Sequence, residues 1–476
     1  MKAFESFRDP SGKVLGNDQD VWRMVNVNAV ADLNEFLDLD LSRKWRDEGK
    51  IVHTSVANAN EIVLFRNEFN GFVSNHAEFG LFRHRRVHFP SFPYEWCPAM
   101  LRDAGLLTLD IAERFFRTTG WSIKDASPFN VLFDGPNPVF IDILSFEKRN
   151  RRDAIWLPYN QFVQAFLIPL LVNKEIGLPL RSIFLADRDG LAVSDAARLL
   201  SRAKRLKPQA LSLVTLPHLL AGRAESDATL YQPKLLDSSE KASFILMRSF
   251  QRLRRQLAKV GQSTVRESKW SEYTKFNQAT IPDYMRAKQA FLTAALEELR
   301  PQNVLDVGCN TGFFSFSAAR AGANVVAIDY DEAVIDQVYR LAKQNGLNVL
   351  PLVVNLSRPT PSQGWRFSEN PSFLDRSIGS FDMVMMLAVI HHMLVQERIP
   401  LREIMRLAAD LTSRALVVEF VPPDDKMFKR LARGREHLHS NLTPEQFEQV
   451  ANDFFTIVCS EKLPETNRRI YLMKKK

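Results

Sequence analysis

Residues 303–314 read Asn-Val-Leu-Asp-Val-Gly-Cys-Asn-Thr-Gly-Phe-Phe, and after a helical run residues 324–330 read Asn-Val-Val-Ala-Ile-Asp-Tyr. Val304 to Val307 is a short, β-branched and apolar burst that carries Asp306 near its end. Gly308 to Gly312 spells a tight turn, and Phe313 to Ala321 reads as a helix. Strand, glycine turn, helix and second strand make one βαβ unit. Asp329 ends the second strand, which places a carboxylate at the carboxyl edge of a parallel sheet, where α/β folds bind their ligands. A ligand with a ribose is the expectation for that crevice.

The alternation continues outward from this unit. A helix over Glu332 to Gln344 ends at Asn345-Gly346, and strands follow at Val349 to Asn355 and Phe381 to Leu387. A helix over Pro400 to Leu411 precedes a fifth strand, Ala415 to Phe420. The chain closes with a helix at Pro444 to Phe454 and two strands, Phe455 to Ser460 and Arg469 to Met473, near enough to form a hairpin. Strands alternating with helices argue for an α/β fold with a parallel, doubly wound sheet. Upstream, Met285 to Leu299 is an amphipathic helix leading into the unit, and Val260 to Ser271 has the polar composition of a domain boundary. The expected division is therefore 1–265 and 266–476.

Two cofactor classes compete for the crevice. A dinucleotide site wants G-x-G-x-x-G, whereas here Asn310 and Phe313 stand at the second and third glycine positions, so a pyrophosphate fits poorly. Asp306, Gly308, Asn310 and Gly312 form D-x-G-x-N-x-G, which resembles the first motif of class I S-adenosylmethionine-dependent methyltransferases. That family usually has glycine where Asn310 stands, although asparagine also tolerates a left-handed backbone. The resemblance covers roughly residues 280 to 476, and it implies a Rossmann-like seven-stranded sheet whose last strand is antiparallel.

The same resemblance implies residue roles and a cofactor, S-adenosylmethionine. Asp329 would take both ribose hydroxyls, Gly308 and Gly312 would let the backbone pass the methionine portion, and Asp306 would anchor the loop. Asn355 stands where the family often has an aspartate near the adenine amino group. His391 and His392 follow the fourth strand in a segment that flanks the transferred methyl, and a neutral histidine can take a proton from a hydroxyl or amine. His391 is the first choice for such a base, which predicts activity falling below a pH of about 6.5. After the fifth strand, Asp424 and Asp425 near Arg430, Arg433 and Arg435 are candidates to grip a polar or anionic substrate. No metal is implied. The insertion and the Ile-His-His segment also resemble a bacterial methyltransferase-like group that includes a nodulation host-specificity protein.

Composition sets the frame for the rest. At 476 residues the chain exceeds one ordinary core, and 45% hydrophobic with 25% charged residues describes a soluble globular protein. Met1 to Gln19 lacks the apolar core of a signal peptide, and runs such as Phe162 to Val172 are too short to span a membrane. Cys97, Cys309 and Cys459 are too scattered for a disulfide framework or a zinc site, so a reducing cytoplasm is expected. The net charge of +8 is moderate for this length, and its clearest concentration is 241–259, where Arg248, Arg252, Arg254, Arg255 and Lys259 accompany Phe250 and Leu253. That segment reads as a nucleic-acid patch or as a basic amphipathic helix joining two domains, and the helix is favoured.

The amino-terminal half reads as a separate α+β domain. Asn34 to Arg46 is an acidic helical piece, Lys50 to Phe92 shifts toward a period of two, and Asn70-Gly71 suits a hairpin turn. An antiparallel sheet is expected there, with Glu61 to Arg66 as one strand, followed by a helix over Tyr94 to Arg117. Asp125, Asn130, a hairpin across Asp134-Gly135 and Asp142 are together similar to the catalytic loop and metal-binding aspartate of protein kinases and aminoglycoside-type phosphotransferases. Lys124 departs from that pattern, and neither a glycine-rich loop nor a partner lysine is found. A plain hairpin with an Asx turn at Asp125 explains the same residues. The favoured function is methyl transfer to an unidentified acceptor, a small molecule ahead of RNA or protein. A cofactor-binding scaffold without turnover and a bifunctional protein with phosphotransferase-like activity in 1–265 stay open.

Overall fold

Seven apolar runs in the carboxyl-terminal half form one sheet: Asn303–Val307, Asn324–Asp329, Val349–Val353, Phe381–Met386, Thr412–Phe420, Phe455–Lys462 and Arg469–Lys475. In a computed structural model that describes residues 4–6, 8–17, 20–69, 79–224, 235–261 and 282–476, their spatial order is third, second, first, fourth, fifth, seventh, sixth. The first five are parallel, and the seventh runs antiparallel to both of its neighbours. This is the Rossmann-like α/β arrangement expected from the alternating pattern. Val304, Leu305, Val325, Val326, Met383, Val384, Leu416 and Val417 are buried, because helices cover both faces of a parallel sheet and leave its strands continuously apolar.

Local chemistry sets where each helix starts and what it buries. Asp331 caps the helix Glu332–Gln344 by accepting N–H bonds from Ala333 and Val334, while Val334, Ile335, Val338 and Tyr339 turn inward. Leu401–Leu411 buries Ile404, Met405, Ala408 and Leu411 at helical spacing. Asp283–Leu299 buries Leu292, Leu296 and Leu299, and also the polar Lys288.

The chain falls into two compact units, one comprising Met1–Asp134, Pro138–Thr264 and Gln363–Asn370, the other Gly135–Asn137, Val265–Ser362 and Pro371–Lys476. The first unit contains a five-stranded antiparallel sheet in the order Phe4–Glu5, Gly12–Gly16, Val21–Asn26, Phe79–His84, Thr54–Val56. The helix Pro98–Thr119 buries Met100, Leu101, Leu109, Ile111 and Phe115 and ends at Gly120 with a left-handed φ of 83°. Aromatic packing fills this unit, with Phe36 stacked 4.0 Å from Phe146 and tilted 5.6 Å from Phe115.

Three expectations for this unit change. Glu61 to Arg66 lies in a helix, Ala59–Glu68, fixed by a capping box in which Asn58 accepts the Glu61 N–H and Glu61 accepts the Asn58 N–H. The acidic piece at Asn34 to Arg46 is split between two helices, Val27–Asp38 and Asp40–Asp47, with extended backbone at Leu39. Strands appear at Gly12–Gly16 and Val21–Asn26, where none is expected from the sequence. Asn70-Gly71 lies outside the described residues. The basic segment is a helix, Ser239–Val260, that buries Leu246, Phe250, Leu253 and Leu257 and pairs Arg254 with Asp110 and Glu113 at 2.7 and 2.9 Å. Among the described residues no helix is long and apolar enough to cross a membrane.

Leu416 sits fully buried in the fifth strand. Leu416→Ala should lower unfolding free energy by about 2 to 5 kcal/mol, from lost burial and the cavity left behind. Urea titration followed by circular dichroism checks it, and a loss under about 1 kcal/mol would contradict this packing.

Candidate active site

The first and fourth strands are neighbours, and their connections leave on opposite sides, so a crevice opens at their carboxyl ends. The turn after the first strand is left-handed at alternate residues, with φ of 72° at Gly308, 47° at Asn310 and 78° at Gly312. A Cβ on Gly308 would come 3.2 Å from the Val389 Cγ2 methyl, so glycine answers both the angle and the crowding there. The N–H groups of Gly308 and Cys309 both donate to the carbonyl of Ile328, at 2.8 and 3.0 Å. Asp329 continues the clamp: Oδ2 accepts the Asn310 N–H at 3.2 Å and Oδ1 accepts the Asp331 N–H at 3.0 Å.

A cavity of about 420 Å³ lies over this turn, a volume ordinary for a small-ligand site. Asp306, Gly308, Asn310, Asp329, Asn355, His391 and His392 all line it, whereas Gly312 does not and instead starts the helix Phe313–Arg320. Asp306 is 2% exposed and accepts the Ser315 hydroxyl at 2.5 Å. Burial, reinforced by the negative Asp329 and only partly offset by Ser315, pushes its carboxyl up to about 7. Burial likewise raises Asp329, against the N–H bonds it accepts. Asn355 Oδ1 accepts the Ser357 N–H at 2.9 Å. The Asn310 Oδ1 atom is buried without a hydrogen-bond partner among the described residues.

The two histidines sit on the short helix Ile390–Val395 with ring centroids 4.3 Å apart. His392 shares a hydrogen bond with Gln396 Oε1 at 2.9 Å through Nδ1, and burial lowers its pKa. His391 is 2% exposed, and neither ring nitrogen has a partner among the described residues. Burial, followed by the charges of His392 and Arg468, lowers it to about 3. An acid limb near 6.5 therefore does not belong to His391, because the environment disfavours imidazolium.

The cavity also has a polar wall that the sequence does not announce. The Lys288 ammonium donates to Glu419 Oε2 at 2.6 Å, and Arg468 donates from Nη1 to Glu419 Oε1 at 3.2 Å. The same guanidinium grips Asp425 through Nε at 2.8 Å and Nη2 at 3.1 Å. Lys288 and Arg468 line the cavity. Arg430, Arg433 and Arg435, expected to grip substrate with Asp425, are exposed, and Arg468 takes Asp425 instead.

Residues 305–412 match the family model of a methyltransferase domain. The carboxyl-terminal unit thus contains a methyltransferase domain. The matched span holds the glycine turn, Asp329, Asn355 and both histidines. The nodulation protein NoeA of Rhizobium meliloti (strain 1021) is 28% identical over 476 residues, which cover 98% of this chain and 94% of that protein. The O-antigen chain terminator bifunctional methyltransferase/kinase WbdD of Escherichia coli is 31% identical over 130 residues, 27% of this chain and 16% of that one. Among solved structures, magnesium protoporphyrin IX methyltransferase from Synechocystis PCC 6803 with bound S-adenosylmethionine matches with 18% identity and a TM-score of 0.30, covering 44% of this chain and 92% of that one. The methyltransferase domain offers S-adenosylmethionine a fitting wall: a buried carboxylate, glycine-lined backbone and an unpartnered amide oxygen.

Asp306 gives a pH test of this geometry. Unfolded, its carboxyl ionises near its ordinary value of about 4, so between about 4 and 7 the folded state holds more protons. Its contribution to stability therefore falls as pH rises through that window. Asp306→Asn removes the titration, so the melting temperature of the variant relative to the parent should rise between pH 5 and pH 8. Calorimetric melting at both values checks the sign.

Proposed function

We propose that the chain methylates a small-molecule acceptor, with residues 266–476 carrying the transfer and residues 1–265 recognising the substrate or a partner. The observation that carries this reading is the convergence of Asp329, Asn310 and the left-handed glycine turn on one cavity at the sheet's carboxyl edge. Bound S-adenosylmethionine supplies a methyl carbon on a positively charged sulfur. Asp329 keeps lone pairs on both oxygens beyond the two N–H bonds it accepts, which suits a ribose diol. On this reading Asn310 Oδ1, buried without a partner among the described residues, accepts from the methionine amino group, and Asn355 from the adenine amino group. Asp306 anchors the turn through Ser315. The protein's share in such a displacement is chiefly alignment.

Calorimetry with S-adenosylhomocysteine tests the reading. Folded protein should bind it, and Asp329→Ala should weaken binding by about 1 to 3 kcal/mol, the loss expected when a polar ligand group goes unpaired. Absence of binding at millimolar ligand would sink the reading. Binding without transfer of labelled methyl to any small molecule, RNA or protein in a lysate would favour the scaffold instead. RNA belongs in that test because Arg248, Arg252, Arg255 and Lys259 are exposed.

A second reading, phosphotransfer by the first unit, is favoured by one cluster. Asn130 Nδ2 donates to Asp125 Oδ2 at 3.0 Å, and Arg23 reaches Asp142 at 3.5 Å from the antiparallel sheet, a cation where sequence reading found no lysine. Burial raises Asp142, with Arg23 opposing. This reading requires ATP binding in the presence of magnesium that disappears in Asp142→Ala. Equilibrium dialysis with labelled ATP decides it, and no uptake by the parent protein removes it.

A further inference from the structure

The wall of the cavity that carries Lys288 and Arg468 says what kind of acceptor suits it, granted the methyltransfer reading. Lys288 is 4% exposed, and among the described residues its hydrogen bonding reaches Glu419 alone, so two of its three N–H donors are unspent. Its Nζ lies 5.7 Å from the centroid of Phe314, the second residue of the helix that follows the glycine turn. His391 lines the same cavity, buried, with both ring nitrogens unpartnered among the described residues. Two groups of unused hydrogen-bonding capacity in one buried cavity wall point to a polar ligand.

The charge balance narrows the class. Lys288 and Arg468 are cations, and Glu419 and Asp425 are anions, so the four together bring no net charge. The cations line the cavity while their carboxylate partners do not. Beside a cofactor with one positive sulfonium, the Lys288 ammonium suits an acceptor that brings a negative charge. A dianionic phosphate monoester would add two charges to a cavity already lined by Asp306, Asp329 and Glu397, which is costly. A neutral alcohol would need a base, and this wall offers none: Lys288 and Arg468 are cations, and Glu419 and Asp425 are both held by them. Burial also makes His391 a poor proton acceptor at neutral pH.

We infer that the acceptor presents a carboxylate, held by the Lys288 ammonium with His391 donating beside it, and that the product is a methyl ester. One carboxylate oxygen supplies the electron pair of the new O–C bond while the C–S bond breaks onto sulfur. The sulfonium becomes a neutral thioether, the acceptor loses its charge, and no proton is released. Lys288 steadies the second oxygen and thereby aligns the first.

The test uses the full chain, S-adenosylmethionine labelled in the methyl group, and the low-molecular-mass fraction of its host cells. Mild alkali should release the transferred label as volatile methanol, since carboxylic methyl esters saponify while methyl ethers, methylamines and methyl phosphates persist. Label that survives alkali overturns the proposal, as does absence of labelled product from protein that binds S-adenosylhomocysteine. Failure to bind S-adenosylhomocysteine overturns the methyltransfer reading beneath it. Lys288→Gln should cut transfer about 100-fold, the scale of losing one donor to a reacting oxygen, with Lys288→Arg restoring part of it. Calorimetric affinity for S-adenosylhomocysteine should stay within about twofold in Lys288→Gln. An equal loss of cofactor affinity would make Lys288 a cofactor-site support and overturn its assignment.

Discussion

The carboxylate of Asp329 governs the geometry of the whole crevice. By accepting N–H bonds from Asn310 and from Asp331 it ties the turn after the first strand to the turn after the second. Together with the paired N–H bonds onto Ile328, this clamp holds alternate residues of the glycine turn in left-handed conformations that would otherwise relax. Burying Asp306 and Asp329 costs free energy, visible in the upward shift of both, with the charge of Asp329 adding to the shift of Asp306. A fold tolerates such a cost where a ligand can use it, and both carboxylates open onto the cavity.

The amino-terminal unit shows the same logic in a hydrogen-bond chain. The Thr54 hydroxyl donates to the Val52 carbonyl at 3.1 Å, so its oxygen accepts from His84 Nδ1 at 2.8 Å. That fixes the tautomer and leaves Nε2 to accept from Arg23 Nε at 3.2 Å. Burial and the neighbouring Arg23 keep His84 neutral. Arg23 is thereby aimed from the sheet at Asp142, a geometry sustained by partners from three separate strands and loops.

The βαβ unit was legible because its signals are local. A β-branched run, glycines at left-handed positions and an aspartate at a strand end each act within a few residues. The Ala59–Glu68 helix was misread because Glu61-Ile-Val-Leu-Phe-Arg has β propensity in itself, yet the reciprocal Asn58 and Glu61 cap lay in the sequence as a start signal. The strands Gly12–Gly16 and Val21–Asn26 escaped because their apolar residues become a pattern only once paired with each other and with Phe79–His84. Lys288 and Arg468 were invisible for a stronger reason. Their shared partner Glu419 is 131 residues from one and 49 from the other, and no local rule announces a buried ion pair at that range.

That buried network does not exist for stability alone. Removing four charges from water costs several kcal/mol per ion, and apolar residues of similar volume would often hold the wall as well. What they could not do is present an ammonium to a water-poor cavity while its counter-charge stays behind it. Glu419 sits at 0% exposure at the end of the fifth strand, braced by two cations, so Lys288 is held in place by a partner that cannot swing away into solvent. In that low-dielectric setting one oriented donor discriminates between acceptors far more strongly than it would in water. On the proposed reading, the selectivity of the domain is built into the strand that carries Glu419 as much as into the glycine turn.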